Sequence, residues 1–248
     1  AFAIYAISTQ AAGATPRMAR AADYGHDLAA MRKLVNERTR VVWIANPNNP
    51  TGTWLSAAAL REFLGALPDT CIAVVDEAYI EYVQEPDYPD ASHWVDRLPN
   101  LVVTRTFSKV HGLAALRVGY GVSDARVAEI LNRVRQPFNV NAPAQAAALA
   151  ALGDDEHVRA SVQLNTAGMR QLVAGCERLG LDFIPSVGNF LAIDVGRGAA
   201  VVNDALLREG VIVRPVANYG LANHLRVSVG LEAENARFLA ALERVLAR

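Results

Sequence analysis

Thr39–Gly52, TRVVWIANPNNPTG, and Cys71–Tyr79, CIAVVDEAY, each begin with an apolar, β-branched run and end in polar or turn-forming residues. Such runs read as strands buried on both faces. Between them, apolar residues at helical spacing follow the capping residue Ser56 and stop at Pro68-Asp69. Strand, helix, strand is the order of a parallel pair joined by a crossover. Working outward, Asp27–Val35 reads as a helix, and Leu101–Thr106 (LVVTRT) and Leu116–Val122 (LRVGYGV) as further strands. Helices are expected over Ala125–Val134, Ala142–Leu152 and Glu156–Leu179. Beyond them come a strand in FLAIDV, a helix over Ala199–Arg208, strands in VIVRPV and LRVSVG, and a helix over Glu232–Leu246. The expected architecture is α/β: a large domain, residues 1–160, with a mostly parallel sheet flanked by helices, and a smaller α+β domain, residues 161–248. The boundary falls within the long helix, where no Pro/Gly linker marks it.

The chain has 248 residues, 52% of them hydrophobic, and 24 Lys+Arg against 25 Asp+Glu give a net charge of −1. That balance offers no basic field for nucleic acid or anionic lipid, so neither is an expected partner. Cys71 and Cys176 are far apart and lack neighbours at ligand spacing, which signals neither a disulfide framework nor a metal site and suits a reducing cytoplasm. The longest uncharged stretch, Gln136–Gly153, carries two prolines and several amides and fails as a membrane span. The opening AFAIYAISTQAAG has no positively charged region before its apolar run; it reads as a chain entered partway rather than as a signal peptide.

Only Lys33 and Lys109 are lysines, the other 22 basic residues being arginine. A lysine kept at 109, within TFSKVHGLAAL, suggests chemistry that needs a deprotonatable amine, Schiff-base formation above all; the alternative is a surface lysine in a loop. Asp76 ends a strand, at the sheet edge where open α/β sheets bind ligands. A carboxylate there can pair with a protonated pyridine nitrogen, with Tyr79 donating to a ring oxygen, or it can merely cap the next turn. NPNNPTG, Asn46–Gly52, fixes φ at two prolines and can present an amide outward. Arg117, among apolar neighbours in LAALRVGY, reads as a buried guanidinium needing an anion: a phosphate, helped by the hydroxyls of Thr106 and Ser108, or an internal carboxylate. Arg226 alternates with Leu225 and Val227, so it faces away from the apolar side, toward either solvent or a cleft that binds a carboxylate. Arg214 in VIVRPV shares that ambiguity, and the lone His111 is left outside the site.

Together, NPNNPTG, VVDEAY, TFSKVHGLAALRVGY, SVGNFLAID and HLRVSVG occur in one order, and that order resembles the fold type I pyridoxal-phosphate aminotransferases. RTFSK, GLAALRVGY, RQPFNVN, GVIVRP and LRVSVG are most similar to the histidinol-phosphate branch. The resemblance implies pyridoxal 5'-phosphate as cofactor, with Lys109 as Schiff-base lysine and proton shuttle and Asp76 on the pyridine nitrogen. It implies Asn49 and Tyr79 on the ring 3-oxygen, Phe2 stacked on the ring, and Thr106, Ser108 and Arg117 on the phosphate. Arg226 would hold the substrate carboxylate, with Asn189 and Arg214 also at the substrate. The implied reaction passes the amino group of histidinol phosphate to 2-oxoglutarate, giving imidazole acetol phosphate and glutamate, in a cytoplasmic homodimer acting on small molecules. Transamination of aromatic amino acids, a related decarboxylation, and a non-catalytic truncated paralogue are the alternatives. The sequence departs from the family by lacking a segment before Phe2 that bears a phosphate-binding turn, so the expectation is an incompletely represented enzyme. It also has Val110-His111 after the lysine, where an aromatic-containing pair is commoner.

Overall fold

The computed structural model describes residues 1–247. Its first half runs α1 (Ile4–Ala11), α2 (Leu28–Leu34), β1 (Val41–Ala45), α3 (Ala57–Gly65), β2 (Ile72–Asp76), β3 (Leu101–Thr106) and β4 (Gly119–Ser123). Then follow α4 (Ala125–Val134), α5 (Ala142–Leu152), α6 (Asp155–Leu179), β5 (Phe183–Ile184), β6 (Phe190–Asp194), α7 (Ala199–Arg208), β7 (Arg214–Val216), β8 (Leu221–Ser228) and α8 (Glu232–Leu246).

Four strands in the order β1-β2-β3-β4 make the first sheet. β1, β2 and β3 are parallel, with Ala45 opposite Asp76 and Asp76 opposite Thr104, and β4 returns antiparallel to β3. Ile44, Val75, Leu101 and Val103 meet Leu60, Phe63 and Leu64 of α3 in one core. The parallel strands end level, so the three loops that follow them carry NPNNPTG, Glu77-Ala78-Tyr79 and Phe107-Ser108-Lys109 to one edge. That shared edge is the structural origin of the site.

The second sheet, in the order β5-β6-β8-β7, is antiparallel throughout. Leu191, Ile193 and Leu225 pack against Leu172 of α6, Val202 and Leu206 of α7, and Phe238 and Leu242 of α8. α6 packs so closely on α8 and on the chain leading into it that a Cβ on Gly175 would stand 2.4 Å from Leu239 and one on Gly168 2.4 Å from Val229, so any larger residue would force those side chains to shift. The expected division at 160/161 falls inside α6, which runs without a break.

Three expectations need correction. The run Leu116–Val122 is a strand only from Gly119, because a 3₁₀ helix (Ala114–Leu116) and Arg117 in the left-handed region (φ 54°) first reverse the chain for its antiparallel return. Arg117 is consequently exposed, not buried. In VIVRPV, the N–H of Val211 closes α7 by donating to the Leu206 carbonyl, so extended pairing starts only at Arg214. The helix α1 goes beyond the sequence reading. Among the described residues, no helix is long and apolar enough to cross a membrane.

Candidate active site

Asn49, in the loop after β1, joins the two sheets. Arg226 Nη1, on β8, donates to Asn49 Oδ1 at 2.6 Å, and Asn49 Nδ2 donates to the Tyr79 hydroxyl at 3.4 Å. Tyr79 is buried, edge-on to Phe190 of β6 with ring centroids 5.1 Å apart, and the Arg226 guanidinium lies 5.2 Å above the Phe190 ring. Strand alternation explains the arginine: Leu225 and Val227 go into the core, so Arg226 goes to the other face. That face is a cleft against the first sheet. Arg226 Nε is buried and has no acceptor among the described residues, the state of a guanidinium edge ready for a carboxylate or phosphate.

Lys109 Nζ stands 5.4 Å from the centre of the Tyr79 ring. The residue is exposed overall, yet partial burial of the amine still lowers its pKa. The charges of Arg226 and Arg117 push the same way, and Asp76 opposes them. Asp76, at the end of β2, is burdened chiefly by burial, which raises its pKa, while hydrogen bonds from Tyr5, Thr104 and the Ala78 N–H favour its charged form. Tyr5 donates to Asp76 Oδ2 at 2.6 Å.

The expected phosphate residues gather at the end of β3. Thr106 Oγ1 accepts the Ser108 N–H at 3.0 Å, fixing the turn, and Arg117 Nη1 lies 3.4 Å from Ser108 Oγ. Arg117 also donates to the Ala114 carbonyl at 2.9 Å, so its own turn orients it. Phe2 is 41% exposed and edge-on to Tyr5 at 5.9 Å. The Asn189 side chain donates toward the Tyr82 phenol, and Asn189 shares with Lys109, His157 and Asn165 the lining of a groove of about 250 Å³. Arg214 is exposed and lies directly opposite Arg226 on the paired strand, on the same sheet face.

Tyr5 is absent from the residues picked out by sequence, as are Tyr219, whose hydroxyl meets the Ala3 N–H at 3.4 Å, and Tyr82. Tyr5 follows Phe2 by three residues, the spacing at which a helix places both side chains together, and that was the available signal. The neighbouring carboxylate Glu77 belongs to the scaffold: it is fully buried and bonded to Arg105 at 2.7 Å.

A family profile described as Aminotransferase class I and II matches residues 1–242. The chain is 60% identical over 248 residues to Histidinol-phosphate aminotransferase 2 of Pseudomonas fluorescens (strain Pf0-1), covering 100% of this chain and 67% of that protein. It is 59% identical over 252 residues to Histidinol-phosphate aminotransferase 2 of Methylococcus capsulatus, covering 99% and 68%. The fold superimposes with a TM-score of 0.91 and 30% identity on the crystal structure of histidinol-phosphate aminotransferase from Sinorhizobium meliloti in complex with pyridoxal-5'-phosphate, covering 99% of this chain and 68% of that one. The chain thus spans about two thirds of the length of each.

Proposed function

The chain belongs to the class I and II aminotransferases, and from that premise we propose that it is the greater part of a histidinol-phosphate aminotransferase. The observation that carries the reading is the Arg226–Asn49–Tyr79 chain of bonds, which draws both sheets around Lys109 in a sequence 60% identical to enzymes of that name. In this reading, residues 1–160 hold the cofactor and residues 161–248 close over the substrate. The protein works as a cytoplasmic homodimer on small amino and keto acids.

The residues present fit pyridoxal 5'-phosphate: a depressed amine, a buried carboxylate, a hydroxyl and guanidinium pair at one loop, and a guanidinium donor without an acceptor. When bound, the cofactor supplies an electron-poor ring that accepts electron density from the substrate's α-carbon. Asp76 would pair with the ring nitrogen and keep it protonated. Asn49 and Tyr79 would bond the ring oxygen, Phe2 would cover the ring face, and Thr106, Ser108 and Arg117 would hold the phosphate. Lys109 would anchor the cofactor through Nζ and afterwards move the α-proton, a task for which its lowered pKa suits it. Arg226 would orient the anionic end of the substrate by its planar fork, with Arg214 beside it on β7 and Asn189 just before the neighbouring strand β6.

The direct test is glutamate formation from 2-oxoglutarate by the purified protein loaded with pyridoxal phosphate. Turnover with histidinol phosphate as amino donor supports the reading. Turnover with aromatic amino acids alone would move the substrate assignment, and no transamination with any donor would overturn the reading.

A further inference from the structure

Trp43 and Asp76 lie on the same face of the first sheet, since Ala45 pairs with Asp76 and Trp43 stands two residues before Ala45. Tyr5, from α1, lies across that face. Its ring stacks on Trp43 with centroids 4.9 Å apart and planes 8° apart, and its hydroxyl reaches Asp76 Oδ2 at 2.6 Å. Thr9 Oγ1 donates to the Tyr5 carbonyl at 2.7 Å, and Phe2 closes the ring's edge. The side chain is buried, and its aromatic contacts leave the ring little freedom to rotate.

We propose that Tyr5 is a positioning residue for the reaction: braced on Trp43, its hydroxyl fixes the Asp76 carboxylate in the rotamer that meets the cofactor's ring nitrogen. The inference rests on the role assigned to Asp76 above. A buried carboxylate at a strand end has two ways to become useless: rotating away, or taking up a proton. Tyr5 opposes both, since one oxygen is pinned and the donated bond favours the ionised form. Burial, and then the nearby Asp76 charge, raise the pKa of the Tyr5 phenol far above its ordinary value, so it remains a donor throughout the working range. Thr104 on the adjacent strand and the Ala78 N–H complete the donor set; Lys109 is the cation that acts on Asp76, and Tyr79 and Tyr219 are the other titratable groups around Tyr5.

The test is Tyr5→Phe in the holoenzyme, which keeps the stacking and removes only the hydroxyl, compared with Asp76→Asn and with the double variant. The readout is the cofactor dissociation constant as a function of pH, followed by cofactor absorbance, with kcat, KM and thermal unfolding alongside. The expected result is an acidic limb of cofactor binding moved up by about one pH unit and a kcat lowered about tenfold at little change in KM. Tyr5→Phe should then add nothing in the Asp76→Asn background. If Asp76→Asn weakens cofactor binding while Tyr5→Phe leaves both limb and kcat at wild-type values, or lowers only thermal stability, the proposal is overturned and the Asp76 assignment stands. If Asp76→Asn itself leaves cofactor binding unchanged, the assignment of Asp76 fails, and the proposal fails with it.

Discussion

Asp76 and Glu77 are neighbours of the same charge sent to opposite sides of the sheet by strand alternation. Asp76 meets the cleft, whereas Glu77 is fully buried, with Arg105 Nε and Nη2 on one oxygen at 2.9 and 2.7 Å and the Ala91 N–H on the other at 2.8 Å. Burial pushes the Glu77 carboxyl up to about 7, while the Ala91 N–H and Arg105 pull it down. Arg105 extends the network to Asp90 at 2.5 Å, which ties the loop after β2 to β3. Arg105→Met should therefore cost about 3–5 kcal/mol, because it strands a buried carboxylate. Denaturant unfolding checks this, and the loss should be smaller at pH 6 than at pH 8, because the stranded group folds best protonated.

At the scale of the element, β1 pairs among the described residues only with β2, and His26 plugs its other edge. The His26 Nε2 atom lies 3.1 Å from the Ala45 carbonyl oxygen and 3.2 Å from the Ala45 nitrogen. Burial lowers its pKa to about 4, so the folded protein holds it neutral. The unfolded chain takes up the proton first, near the ordinary histidine value of about 6.5. Stability from this group is thus complete above that pH and is lost as pH falls toward about 4, a loss of about 3 kcal/mol that His26→Gln should lack in a pH series of thermal unfolding. Elements with a chemical start signal were legible: Asp27, Ser56, Asp124, Asn141 and Asp154 each cap a helix that the sequence announces. α7 and α8 lack a side-chain cap too, yet their apolar spacing announces them, whereas α1, which starts at Ala3 with no side-chain cap, went unread. The site divides the same way. Lys109, Asp76 and Asn49 stand in motifs that the level ends of the parallel strands carry to one place, and Arg226 stands in a strand motif that the docking of the second sheet brings to them. Tyr82 and Tyr219 reach the site only through the docking of separate elements, which no spacing along the chain encodes, and for Tyr5 the one signal was its three-residue spacing from Phe2. For Arg117 the apolar neighbours misled, because they serve a reversing turn rather than a strand interior.

The whole molecule is two sheets held around one cleft by backbone contact as well as by Asn49. The Val187 N–H, in the loop before β6, donates to the Gly52 carbonyl after β1 at 3.0 Å. Gly52 has φ +77°, and a Cβ there would fall 2.0 Å from Ser186 Oγ. Gly52→Ala should push the NPNNPTG loop off the second sheet, lowering stability by about 2 kcal/mol or more and raising KM, with Ser186→Gly restoring part of both. Thermal unfolding and steady-state kinetics of the single and double variants would show it. The central claim is that both sheets converge on one lysine, and the chain offers just two, Lys33 and Lys109. The most direct measurement is borohydride reduction of the protein with pyridoxal phosphate, followed by intact mass and peptide mapping. The expected result is a single stable adduct on Lys109 that is absent from Lys109→Ala; an adduct on Lys33 instead, or none on protein that binds the cofactor, would contradict the convergence on Lys109.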